Sequence, residues 1–168
     1  MVKRLVPTGE MTLGPFFPRE FAEAANDLTI GVKKDQVIEI TGRVTQLDGK
    51  PLDNVILEIW QADSVGRFDN PDFFGWGRAA TDAQGIYRFK TIKPGSYGGR
   101  APHVNLLILY SGLMRQLQTV MFFDKANDPV LDAVEASLRP RLIAKREGTV
   151  YSFDIRLRGE GETPFFDD

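Results

Sequence analysis

The chain has 168 residues, 42% hydrophobic and 26% charged, and its 21 basic and 23 acidic side chains leave a net charge of −2. A chain of this length can bury about 70% of the surface its unfolded form exposes, and with no cysteine it has no disulfide, thiolate metal site or cysteine nucleophile. It has no basic block suited to a phosphate backbone, and no apolar run approaching the roughly 18 residues of a membrane span, so nucleic acid and membrane are excluded as expected partners. The opening MVKRLVPTGEM lacks the apolar core of a signal peptide. The expectation is a cytoplasmic protein of one domain over 1–168, whose partners are a small molecule or another protein.

Residues 1–35 mix glycine, proline and polar residues around one short helical candidate, 19–26, and read as an N-terminal arm. Within it, TLGPFFP (12–18) is either a turn that tucks its aromatics into the core or a wall of a flat pocket for an aromatic ligand. From residue 36 the apolar pattern is short and strand-like, at 37–44, 55–62, 86–92, 104–110, 117–123 and 150–158. The DG in LDGKPLDN predicts an antiparallel hairpin joining 37–44 to 55–62. GWGRAA (75–80) matches a dinucleotide-binding pattern, but TDAQG follows it instead of a helix, so it reads as a loop in which Trp76 packs.

One helix signal is clear. Asp128 is the N-cap, Pro129 takes the first helical position, and VLDAVEASL follows up to Pro140. The tail GEGETPFFDD (159–168) carries two phenylalanines that must either fold back or dock on another subunit, and docking is the expectation. Six short strands with little helix make the chain all-β, an antiparallel sandwich over 36–158 with one or two short helices.

His103 is the only histidine. A zinc or iron site needs about three or four protein ligands, and on a strand the economical pair is H-x-H, because alternate residues share a face. Here Asn105 occupies the second position, and its neutral amide is a poor ligand. Ser96 and Ser111 lack a nucleophile-elbow context. Glu58 and Asp63 fall on opposite faces of a strand and read as solvated charges. His103 by itself reads as a partly buried strand residue, hydrogen-bonded at both nitrogens.

Taken together, TLGPFFP, GRVTQLDGKPLDNVILEIWQAD, GWGRAATDAQGIYRFKTIKPG, APHVNLLIL and LIAKREGTVYSFDIRLRGEGETPFFDD resemble the intradiol ring-cleaving dioxygenases. The ending looks most like the α subunits of the branch that cleaves protocatechuate with two kinds of chain. The resemblance implies a catecholic substrate and O2, with Fe(III) held by two tyrosines and two histidines and an arginine and a glutamine steadying ring charge. Tyr97, Arg100 and His103 fall on one tyrosine, the arginine and the first histidine. Asn105 replaces the second histidine, Val120 stands for the glutamine, and RFDNPDFFGWG (67–77) contains no tyrosine.

The resemblance therefore implies a relic site at Tyr97, Arg100, His103 and Asn105, no metal on this chain, and Fe(III) on an iron-bearing β subunit of the same fold. Thr12, Gly14, Pro15 and Phe16 match the residues an α subunit lends to its partner's substrate pocket, with Phe16 where tyrosine is usual. The arginine that holds an acidic ring substituent falls near Ser111, and Arg115 is the nearby substitute. Two alternatives stand beside this reading: a β-sandwich binding module with a degenerate site, or a homo-oligomeric dioxygenase for another substituted catechol.

Overall fold

The computed structural model describes residues 25–32, 36–111, 113 and 115–166. Two sheets pack face to face. β1 (Val37–Thr45), β4 (Ile86–Ile92), β7 (Lys145–Glu147), β8 (Val150–Ser152) and β9 (Ile155–Arg156) form one; β2 (Ile56–Trp60), β3 (Trp76–Ala80), β5 (His103–Leu109) and β6 (Leu117–Phe122) form the other. Strand order is β4-β1-β8-β7 in the first sheet, with β9 also on β1, and β3-β2-β5-β6 in the second.

Period-two alternation decides which side of each strand is covered. In β1, Ile38, Ile40 and Val44 point inward, and in β5, Val104, Leu106 and Ile108 do so. With Leu57, Ile59, Tyr87, Phe89 and Met121 they form the core between the sheets. Tyr87 stands opposite Gly42 in the β1–β4 register, and its hydroxyl donates to the Phe153 carbonyl at 2.5 Å. Burial, with the nearby Asp154 charge adding to it, pushes the Tyr87 phenol far above its usual pKa.

The β-sandwich agrees with the sequence pattern, and several details differ from it. The predicted hairpin between 37–44 and 55–62 does not exist as a strand pair: β1 and β2 lie in different sheets. The DG turn itself forms, with Gly49 N donating to Gln46 O and Leu52 N to Val44 O, but the chain then crosses to the other sheet. The first sheet is mixed, because β8 and β9 run parallel to β1. The expected strand 150–158 is divided where Phe153 N turns to bond Thr41 O. GWGRAA is not a loop: residues 76–80 are β3, an edge strand whose Arg78 N is met by Ala25 O.

The predicted helix is also shorter. α1 spans Pro129–Ala133 under the Asp128 cap; Val134 is already extended, and a 3-10 turn follows at Arg139–Leu142. The tail, expected to dock on another subunit, packs its two phenylalanines on this chain. Phe165 packs on the main core, and Phe166 packs on a second cluster and donates its N–H to Gln118 O. Most of the 19–26 helical candidate lies outside the described residues, and among the described residues no helix is long and apolar enough to cross a membrane.

A methyl group at Gly42 would sit 1.9 Å from the Phe153 oxygen, so backbone would have to move. Gly42→Ala is expected to cost about 3 kcal/mol or more, against about 1–2 kcal/mol for Tyr87→Phe, which removes one buried hydrogen bond. Urea denaturation of both variants checks the order.

Candidate functional site

Of the residues singled out from the sequence, Glu58, Trp76, Asn105 and Val120 lie on the outer face of the second sheet. Trp76, Trp60, Asn105 and Val120 form one cross-strand row, and Arg78, Glu58, Leu107 and Gln118 the next. α1, the 3-10 turn and Phe166 cover one end of this face through Val120, Phe122, Leu131 and Leu142. Between cover and sheet lies a cavity of about 510 Å³ whose walls include Trp60, Trp76, Arg100, Asn105, Val120 and Phe166. Glu58 belongs to the same wall and is held in an ion pair by its cross-strand neighbour Arg78, whose Nε donates to Glu58 Oε1 at 2.8 Å.

Local chain geometry brings Tyr97 and His103 together. Gly98 and Gly99 adopt φ of +55 and +77, the two positive values a type I′ turn requires, so Tyr97 and Arg100 bond each other and the chain reverses at once. His103 then opens β5 on the outer face, and its Nδ1 lies 2.6 Å from the Ala101 carbonyl. A carbonyl can only accept, which assigns the proton to Nδ1. The Nε2 lone pair accepts from the Tyr97 hydroxyl at 3.0 Å. Burial of the ring holds its pKa below the usual histidine value, and the Arg100 charge adds to the effect against the opposing pull of Asp128.

Arg100 is turned toward a partner of its own. Its Nε and the Ala101 N–H both donate to Asp128 Oδ2, at 2.8 and 2.9 Å, while Asp128 Oδ1 caps α1 through Val130 N and Leu131 N. Burial alone would raise the Asp128 pKa, but these four hydrogen bonds outweigh it and hold the carboxyl below its usual value.

Asp63, read from sequence as a solvated charge, is buried. It accepts from Val65 N, Arg67 N and Asn70 and organises the loop that sets Phe68 edge-on to Tyr97 at 4.9 Å. Burial again opposes ionisation of Asp63, and its hydrogen bonds and the Arg67 charge override it.

The donor set around Tyr97 and His103 does not fit an iron centre. The ring neighbours are Phe68 and Phe122, which have no lone pair to give. Asn105 occupies the same-face position two residues along β5. Both His103 nitrogens are already engaged, and among the described residues no group of three or more His, Cys, Asp or Glu side chains could hold a metal. What remains is a self-satisfied Tyr97–His103 pair beside an aromatic-walled cavity that carries one guanidinium.

Of the residues the sequence places together, Tyr97 and His103 are in hydrogen-bond contact, while the Arg100 side chain turns to Asp128. Sequence reasoning missed Phe68 as the neighbour of Tyr97 and Asp128 as the anchor of Arg100; the N-cap signal at Asp128 was the only available hint. Thr12, Gly14, Pro15 and Phe16 lie outside the described residues. Ser111 and Arg115 are exposed beyond the end of β5.

Comparison with known proteins identifies the family of the fold. A family profile described as dioxygenase matches residues 13–159. The chain belongs to the intradiol ring-cleaving dioxygenases. It is 34% identical to the protocatechuate 3,4-dioxygenase alpha chain of Pseudomonas putida, covering 99% of this chain and 98% of that one. To the beta chain from Burkholderia cepacia it is 33% identical, over 95% of this chain and 84% of the relative. Among solved structures, the dioxygenase domain of a carbohydrate-binding fusion protein from Streptomyces sp. SirexAA-E matches with a TM-score of 0.63 at 28% identity, over 92% of this chain and 99% of that domain. The intradiol dioxygenases are an enzyme family, and most of this chain lies within its fold.

The buried neutral imidazole makes stability depend on pH. Above the ordinary value of 6.5, His103 is neutral folded and unfolded, and its contribution is complete. As pH falls below that value the unfolded chain takes up a proton that the folded chain refuses, so stability declines until the folded pKa is reached. Denaturant titrations of wild type and His103→Gln between pH 7 and pH 5 are expected to show this decline only in wild type. Asp63 and Asp128 add their own losses at more acidic pH, in both proteins.

Proposed function

We propose that this chain is the iron-free, α-type subunit of a two-chain intradiol dioxygenase of the protocatechuate 3,4-dioxygenase kind. It pairs with an iron-bearing, β-type chain of the same fold and completes the substrate pocket there. The single observation that carries the reading is the donor shortage: Phe68, Asn105 and Phe122 surround Tyr97 and His103 where further oxygen or nitrogen ligands would be needed. Coverage of nearly the whole P. putida alpha chain supports the same assignment.

The reaction is insertion of O2 between the two ring carbons of a catechol that bear hydroxyls, which opens the ring to a dicarboxylic acid. Fe(III) on the partner supplies the oxygen chemistry. This chain contributes Thr12, Gly14, Pro15 and Phe16 as a wall that orients the ring and excludes water. With Ser111 where a substrate-holding arginine is expected, Arg115 provides the charge for an acidic ring substituent, or the substrate carries a different group. A second reading, a binding module for an aromatic ligand, is favoured by the cavity between Trp60, Trp76 and Arg100.

The test is purification of the chain alone and together with an iron-bearing relative, followed by metal analysis, visible spectroscopy and ring-opening assays. Iron, colour and turnover are expected only in the paired preparation. Near-stoichiometric iron with turnover in the chain alone overturns the proposal, and failure of every iron-bearing relative to pair with it supports the binding module. In the active pair, Phe16→Ala is expected to lower kcat/KM roughly tenfold or more without changing iron content, because it disturbs only substrate positioning.

A further inference from the structure

A second depression lies on the first sheet, distinct in its lining residues from the cavity beside Tyr97 and His103. Its volume is about 540 Å³. Four elements contribute cations to its lining: Arg43 from β1, Arg141 from the 3-10 turn, Lys145 from β7 and Arg156 from β9. Asp154 is the one carboxylate of the lining, and its Oδ1 is taken by the Arg43 backbone N–H at 2.9 Å. Thr45, Ser152 and Thr163 add hydroxyls.

None of the four cations is in an ion pair among the described residues, whereas Arg67, Arg78, Lys90, Lys93, Arg100 and Arg139 all are. Arg141 and Arg156 use one nitrogen each on a neutral carbonyl, Glu162 O at 3.0 Å and Leu47 O at 3.1 Å. Among the described residues the buried Arg156 Nε has no acceptor, a donor stripped of water and left unmatched.

Converging positive charge in a concave, partly desolvated setting focuses the field and draws in anions. Guanidinium forks match carboxylate and phosphate oxygens two at a time. A depression of this size suits a small molecule rather than a polymer backbone, and a monovalent anion would leave most of the charge uncompensated. We propose that this depression binds a small multivalent oxyanion, one carrying two or more carboxylate or phosphate groups. The site does not depend on the assignment of this chain as an iron-free subunit.

Calorimetric titration of the full chain, in whatever assembly it purifies, tests this in low-salt buffer with pyrophosphate, citrate and acetate. Saturable one-to-one binding of pyrophosphate or citrate is expected, with acetate silent at the same concentration; the tighter of the two identifies the head group. Arg43→Gln and Lys145→Gln are suitable variants, because both residues are exposed and their side chains make no hydrogen bond among the described residues. Each is expected to weaken binding about tenfold, and unliganded melting curves show that the fold is intact. Lys125→Gln, on an exposed residue outside the depression, controls for net charge. Absence of saturable binding overturns the proposal, as does binding that survives the Arg43/Lys145 double substitution or that falls equally in the control.

Discussion

One buried carboxylate ties the functional face together. Asp128 accepts from Arg100 Nε, Ala101 N, Val130 N and Leu131 N, so the loop before β5 and the start of α1 share a single anion. An ionised group with almost no solvent exposure survives only because each of its lone-pair directions is met by a donor. Its position sets where Arg100 points, where α1 begins, and therefore how far the cover extends over Val120 and Phe122. The cavity beside Trp60 lies next to that cover, with Val130 and Phe166 in its wall.

Beside this anchor, Tyr97 and His103 have become each other's partners. In a metal-holding version of such a site, the phenol and imidazole would direct lone pairs to a common ion, with further donors completing the set. Here the phenol donates a hydrogen bond to Nε2 and the Nδ1–H donates one to Ala101 O. Phe68 and Phe122 fill the remaining space with carbon. The arrangement is consistent across levels: apolar rings lower the local polarity, burial keeps the imidazole neutral, and a neutral imidazole is the form that accepts from the phenol.

The two outer faces of the sandwich have opposite character. The face on β2, β3, β5 and β6 is aromatic and its charges are paired, as in Glu58–Arg78 and Arg100–Asp128. The face formed by β1, β7 and β9 gathers Arg43, Lys145 and Arg156, which are in no ion pair among the described residues. Both arise from the same period-two alternation, since residues turned away from the shared core are free to carry separate chemistries.

Much of this was legible in the chain. Alternating apolar residues located β1, β2, β4, β5, β6 and the region of β8 and β9 but not β3 or β7, the lone histidine with Asn105 two residues later limited any ligand set, and Asp-Pro marked the start of α1. These are local signals, carried by residue type and spacing. Which strands pair was not legible: the DG turn near Gly49 is real, yet β1 pairs with β4, β8 and β9, because burial of both sheet faces against one core selects partners far away in sequence. Asp63 looked like a surface charge until the fold enclosed it with backbone donors, and nothing in RFDNPDFFGWG reveals that Phe68 lies against Tyr97. The sequence by itself determined the strand-rich class and the poverty of metal donors. Only the tertiary structure decided the partners of those few polar groups and the gathering of Arg43, Arg141, Lys145 and Arg156, since side chains distant along a chain become neighbours only when a common core draws their strands together.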